Sequence, residues 1–224
     1  MRTMKKTKIE SSYEALLASI KEMSDLTIKS YSRTLDALKT LDVSTALKVI
    51  KADEKIDLLH YEILDEATIF ILRNQPVASD LRKVLMIFKL ASEYERIADY
   101  TKNISEYIIL IKENDSLEHY QKNVDKFVVM LETIIEMLNL VIEGLLEENK
   151  SLIKKAANMD ESVDAVYHEL MASLIEHIQV VDGKIFGTAH AILMNKYIER
   201  AGDHVTNIAE EMLYAFKGER YQLN

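Results

Sequence analysis

The 224 residues include no cysteine and no tryptophan, one proline and five glycines. Without cysteine there can be no disulfide, thiolate zinc site or cysteine nucleophile, and a reducing compartment is the natural setting. Glycine and proline together fall far below the usual share of about one residue in eight, so a sheet protein with many tight turns is excluded and an all-helical chain is expected. Basic charge is also scarce: 28 Lys and Arg against 37 Asp and Glu leave a formal charge of −9. That balance argues against nucleic acid as a partner, because phosphate contacts need a basic face. Long apolar runs are missing too. Ile69-Phe70-Ile71-Leu72 and Tyr107-Ile108-Ile109-Leu110-Ile111 are short and flanked by charge, well under the roughly 20 residues that cross a bilayer. The basic start, Met1-Arg2-Thr3-Met4-Lys5-Lys6, is not followed by an apolar stretch of secretory length, so a cytoplasmic protein is expected.

What is abundant is helical periodicity. Apolar residues recur at three- and four-residue spacing over six stretches, near 11–41, 44–73, 79–112, 116–149, 151–179 and 186–217. Asp42-Val43-Ser44, Gln75-Pro76-Val77-Ala78-Ser79, Asn114-Asp115-Ser116 and Asn149-Lys150-Ser151 supply caps and breaks, and Val180-Val181-Asp182-Gly183-Lys184 supplies a loop. Connections this short make neighbouring helices antiparallel, as in a bundle.

An internal repeat organises the chain. Residues 95–106 read E-R-I-A-D-Y-T-K-N-I-S-E and residues 199–210 read E-R-A-G-D-H-V-T-N-I-A-E, identical at six of twelve positions and 104 residues apart. Asp53-Glu54-x-x-Asp57 matches Asp160-Glu161-x-x-Asp164 at a distance of 107. The chain therefore reads as two three-helix units, residues 1–113 and 114–224, with their boundary near Glu113 to Ser116 and no Gly- or Pro-rich linker between them.

On a helical wheel Glu95, Asp99, Asn103 and Glu106 fall within an arc of about 80°, opposite the core residues Leu90, Tyr94, Ile97, Thr101, Ile104 and Ile108. Glu199, Asp203, Asn207 and Glu210 repeat the stripe, while Asp53 and Asp57 share an outer face of their helix, away from Ile56, Leu59 and Ile63, and Asp160 and Asp164 do so on theirs. Like charges four residues apart cost a helix a few tenths of a kcal/mol each, and here the pairs sit on helices joined by a hairpin. Cations would offset that repulsion, and oxygen-only ligation suits Mg, Ca, Mn or iron, whereas zinc usually asks for His or Cys. The competing reading is a solvated acidic face, or one paired with Arg96 and Arg200. A di-iron carboxylate enzyme would need Glu-x-x-His on two helices; Asp57-x-x-His60 offers that spacing once and Asp164-x-x-x-His168 breaks it. His60, His168 and His204 are then expected at surfaces or edges, with His204, next to Asp203, able to join a site in the second half. No P-loop, G-x-S-x-G, H-E-x-x-H or dinucleotide fingerprint occurs.

The doubled E-R-x-[AG]-D-x-x-x-N-I-x-E, with Arg73-Asn74-Gln75-Pro76-Val77-Ala78-Ser79-Asp80-Leu81-Arg82 ahead of the first copy, resembles the PhoU family over essentially the whole chain. The first copy carries Ala98 and Tyr100 where the family often has Gly and His, and the second half lacks the proline segment. The resemblance implies an all-α fold of two pseudo-symmetric three-helix bundles, commonly dimeric, with multinuclear metal clusters for which iron, Mg, Mn, Ca and Zn are candidates. Its implied ligands are Asp53, Asp57, Glu95 and Asp99 in one half and Asp160, Asp164, Glu199 and Asp203 in the other, with Glu54, Asn103, Glu161 and Asn207 alongside. The implied role is non-enzymatic: a negative regulator linking the ATPase subunit of a phosphate ABC transporter to a sensor histidine kinase, near the membrane only through those partners. A di-iron enzyme and a purely structural dimerisation module remain the alternatives.

Overall fold

In a computed structural model, residues 8–113, 117–180 and 185–217 are described. They form α1 (Lys8–Thr40), α2 (Val43–Asn74), α3 (Ser79–Glu113), α4 (Leu117–Leu146), α5 (Lys150–Asn158), α6 (Asp160–Val180) and α7 (Ile185–Lys217). The described residues contain no strand. The Asn114-Asp115-Ser116 cap lies outside the described residues, as do Val181 to Lys184 of the expected loop and residues 114–116 at the expected domain boundary.

The helix ends follow the local chemistry. Asp42 caps α2, its carboxylate accepting from the Ser44 N–H at 2.9 Å and from Thr45 Oγ1 at 2.6 Å. Asn149 caps α5 in the same way, accepting from the N–H groups of Ser151 and Leu152. Each cap follows a residue with positive φ, Leu41 at 51° and Glu148 at 49°, so the two turns correspond at the 107-residue spacing. Gln75 closes α2 in the left-handed region, φ 47°, its N–H bonded to the Ile71 carbonyl at 3.0 Å, and Pro76 then prevents continuation.

The single fifth helix expected over 151–179 is instead two helices, α5 and α6, interrupted at Met159. There the hydrogen bonding tightens: the Met159 N–H is shared between the Lys155 and Ala156 carbonyls, and the Met159 carbonyl accepts from both the N–H and the hydroxyl of Ser162. Ser162 thus competes for a carbonyl that the regular ladder would give to residue 163. The break makes Asp160 the first residue of α6.

α1, α2 and α3 pack as one bundle and α4 to α7 as the other, but their interiors merge into one apolar core. The join is made chiefly by α3 against α7, with α1 against α4 beside it. The pairs Lys89–Glu211, Glu93–Asn207, Tyr100–His204 and Tyr107–His190 show that α3 and α7 run antiparallel. Tyr31, fully buried, donates its hydroxyl to the Ile97 carbonyl at 3.0 Å, and Tyr120 of α4 donates to the Leu38 carbonyl of α1. No helix of the described residues is long and apolar enough to cross a membrane.

The repeat also shows where volume is traded. A Cβ on Gly144 would lie 2.7 Å from Ile153 Cγ1 and 3.3 Å from the Asn149 carbonyl oxygen, so α4 and α5 meet through the absence of a side chain. The corresponding positions in the first half are Ala37 and Ala46, both buried. Gly144→Val is therefore expected to destabilise the fold by about 2 kcal/mol through overpacking, read as a lower denaturant midpoint. Adding Ile153→Ala should recover part of the loss.

Candidate metal centre

The four acids of each half line a seam between two helices, within electrostatic reach of one another, where the wheel placed them simply on the outer face. Asp53, on α2, is 5 % exposed; Asp57, Glu95 and Asp99 are half-buried beside it across the α2–α3 seam. In the second half Asp160 and Asp164 on α6 adjoin Glu199 and Asp203 on α7, with Asp203 the most open of the set. The outer face is thus a correction for Asp53 above all: the α2–α3 hairpin closes over it.

Electrostatically the two groups behave alike. Burial, then the Asp57 charge, pushes the Asp53 carboxyl up despite a compensating Lys102, and Glu95 is raised by burial and by Asp57 and Asp99. Burial drives Asp160 up to about 7, opposed by a hydrogen bond from Thr206 and reinforced by Asp164, Asp203 and Glu199. Asp203 is raised by burial, Glu199 and Asp164.

Among the described residues each half also leaves one carboxylate oxygen buried without a partner. Lys102 Nζ stands 3.3 Å from Asp53 Oδ2 and 3.8 Å from Asp99 Oδ1, while Asp53 Oδ1 is buried with no partner. Thr206, at the position equivalent to Lys102, donates to Asp160 Oδ2 at 3.1 Å, and Asp160 Oδ1 is likewise buried and unpartnered. That second oxygen points into the notch left by Gly202, where an added Cβ would lie 2.1 Å from it. An unpaired buried oxygen is unfavourable, and a cation would satisfy it.

Among the described residues the cations at salt-bridge distance from these acids are lysines, and of the two arginines weighed as alternative partners Arg96 acts on Glu95 through its charge. Lys102 serves the first half, and Lys196 holds Glu199 at 2.6 and 2.5 Å in the second. Arg200 lies over the Tyr100 ring instead, 5.5 Å from its centroid. Of the flanking residues, Glu54 and Glu161 are exposed, Asn103 donates to the carboxylate and carbonyl of Asp99, and Asn207 turns to Glu93 of the other half. His60 Nε2 faces Ser92 Oγ at 3.4 Å. His204 is not an edge residue: Nδ1 meets Glu93 Oε2 at 2.5 Å and Nε2 meets the Tyr100 hydroxyl at 2.9 Å.

Glu93 was not singled out by the sequence, and Tyr100 only as a departure from the family's usual His, for a geometric reason. Tyr100 and His204 are repeat equivalents, as are Glu93 and Tyr197, and the antiparallel α3–α7 contact brings these positions face to face. Tyr100 touches its own counterpart His204, and the Glu93–His204 contact is the counterpart of Tyr197–Tyr100, so complementarity replaces identity there. A polarity mismatch at equivalent positions on otherwise matching helices was the available signal.

Among the described residues no three His, Asp or Glu side chains are grouped so as to hold an ion as they stand. The donor chemistry nevertheless fits a hard cation: oxygen-only, anionic, partly desolvated, with one free buried oxygen per half. Lys102 would compete with such an ion directly. Lys102→Gln is expected to tighten divalent-cation binding in the first half on the order of tenfold, since a like charge a few ångströms away is removed. Calorimetric titration of the variant against the parent chain checks this.

Fold and site together define a tandem-duplicated helical-bundle protein with a carboxylate cluster at corresponding seams of its two halves. The chain belongs to the PhoU family: the PhoU domain model matches residues 20–108 and again 127–212. It is 32 % identical over 205 residues to a phosphate-specific transport system accessory protein PhoU homolog of Zymomonas mobilis, covering 92 % of this chain and 85 % of that protein. A similarly named protein of Borreliella burgdorferi is 28 % identical over 222 residues, 98 % of this chain and all of that one. Among solved structures, the phosphate transport system regulatory protein PhoU from Streptococcus pneumoniae matches with a TM-score of 0.88 at 24 % identity, covering 96 % of this chain and 100 % of the other, a likeness of fold. PhoU from Pseudomonas aeruginosa matches at 0.87 and 25 %, covering 95 % and 100 %.

Proposed function

We propose that this chain is a non-enzymatic, cytoplasmic regulatory adaptor of phosphate homeostasis that restrains phosphate uptake and the starvation response. In this reading it docks on the ATPase subunit of a phosphate ABC transporter and on a sensor histidine kinase, works as a homodimer, and carries metal at its two carboxylate seams. Support for the regulatory role comes from the family and from relatives named as phosphate-transport accessory proteins along nearly their whole length. The metal role is supported by one observation above the others: each half repeats an aspartate with one oxygen held and the other buried and unpaired. Surface for protein partners is available on α2, which among the described helices packs only on α1 and α3 and leaves Leu58, Tyr61 and Leu72 more than half exposed.

The experiment is a deletion in the native host. In phosphate-rich medium the deleted strain should raise phosphate uptake and phosphatase expression, and the chain supplied in trans should restore repression. Uptake and phosphatase that stay fully repressed without the gene would contradict the regulatory reading, whatever the metal content of the protein.

A further inference from the structure

The family and the acidic seams leave one feature of the molecule unused. Between α1 and α2 lies a cleft of about 260 Å³ whose apolar floor includes Leu26 and Ile56 and whose rim carries Lys29, Arg33 and Lys55. Among the described residues no carboxylate lines it. In a chain of net charge −9, three cations around one cleft repel one another with little to offset them. Lys55 is held by Glu22 at 3.1 Å, and Asp25, four residues before Lys29 on α1, is taken by Lys21 at 2.6 Å. Among the described residues neither Lys29 nor Arg33 has an ion-pair partner. Two positive charges are thus left without an intramolecular counterion. Ser30, 4 % exposed, also lines the cleft.

The duplication supplies an internal control. With the Asp42 and Asn149 caps in register, the positions matching Lys29, Arg33 and Lys55 are Glu136, Leu140 and Ser162, and Ser30 becomes Met137. The bundle therefore folds without cations at these places and without a hydroxyl at the Ser30 position, and their presence in the first half needs a reason outside the fold. Lys29, Ser30 and Arg33 come from α1 and Lys55 from the facing helix, so the donors reach the cleft from two sides. That arrangement suits a tetrahedral anion better than a flat carboxylate, and two uncompensated charges suit a dianion.

We propose that the α1–α2 cleft binds a dianionic phosphoryl group, as inorganic phosphate or as a phosphomonoester, through Arg33 and Lys29 with Ser30 donating beside them. The site stands apart from the carboxylate seams and does not depend on the regulatory reading.

Its test is calorimetric titration of the full chain, stripped of metal so that no anion can ride on a cation at the seams, at constant ionic strength. Sodium phosphate and glycerol phosphate are the probes; acetate and chloride are the references. Saturable binding of at least one phosphate compound is expected, weakened about tenfold or more by Arg33→Gln and tightened by Glu22→Gln, which frees Lys55. Tighter binding of phosphate assigns the free ion as the source, and tighter binding of glycerol phosphate assigns a monoester. The proposal falls if neither phosphate compound gives saturable heat, if acetate binds as well, or if Arg33→Gln leaves the affinity unchanged with its helical signal and melting temperature intact. Should Arg33→Gln fail to fold, Lys29→Gln and the gain expected of Glu22→Gln decide the matter.

Discussion

Asp160→Asn is expected to make the metal-free protein more stable at neutral and alkaline pH while weakening metal binding in the second half. The folded carboxyl is raised to about 7 by burial and by the neighbouring acids, against about 3.9 for an unhindered aspartate. Below both values Asp160 is protonated in the folded and unfolded chains alike, and it costs nothing. As pH rises from about 4 to about 7 the unfolded chain ionises while the folded one retains its proton, so stability is lost across that window and the loss is complete above it. Because the group is partly open to solvent, the full linkage value is discounted for screening to about 2 kcal/mol. The amide keeps the shape, can still accept from Thr206 and carries no charge into the Gly202 notch. For a chain of this size that corresponds to a melting temperature about 4–8 °C higher than the parent at about pH 8, vanishing near pH 4. Thermal unfolding in chelator across that range checks the sign and the window; a variant less stable than the parent at pH 8 would refute the assignment of Asp160 as a strained acid.

Most of the helical architecture was legible from apolar spacing, because proline and glycine are so rare that nearly every break had to be made by a cap. Asp42 and Asn149 were among the capping candidates, and both act as N-caps. The Met159 interruption was not legible. It carries no glycine or proline, and it arises from Ser162 drawing on the Met159 carbonyl, a competition that periodicity does not register. The eight acids were found by their repetition, yet a wheel treats one helix at a time and so put Asp53 outside, where the α2–α3 hairpin in fact encloses it. The same limitation concealed the lysines. Lys102 and Lys196 occupy different repeat positions, matched by Thr206 and Ser92, so comparison of the halves could not reveal that each half recruits its own ammonium.

The two halves are consequently not equivalent sites. In the first, an ammonium lies between Asp53 and Asp99, partly doing what a metal would do; in the second, Thr206 offers a neutral hydroxyl to Asp160 and the ammonium is displaced to Glu199. A cation entering the first seam must displace Lys102 from two carboxylates, whereas one entering the second must displace a proton from Asp160 at neutral pH. Affinity in the second half should therefore rise more steeply with pH.

Adding a divalent cation to metal-free protein is expected to stabilise it by about 2.7 kcal/mol at a concentration one hundred times the dissociation constant, and by about 4.1 at one thousand times. The argument is mass action on the folded state alone, since the unfolded chain cannot hold α2 against α3 or α6 against α7 and so cannot gather these carboxylates. The corresponding rise in melting temperature is about 5–10 °C, reversed by chelator. Its pH dependence follows from the raised carboxyls of Asp53, Glu95, Asp160 and Asp203: protons compete with the ion, so the stabilisation should shrink as pH falls through the carboxylate range. Glu95→Gln should remove the contribution of the first half and Asp203→Asn that of the second, each leaving the other in place. A scan of Mg, Ca, Mn and ferrous iron with these two variants distinguishes site binding from general screening. An unchanged melting temperature for every ion, or a rise that survives both substitutions together, would mean that the carboxylate seams do not hold metal and that their repulsion is met by Lys102, Lys196 and bound protons alone.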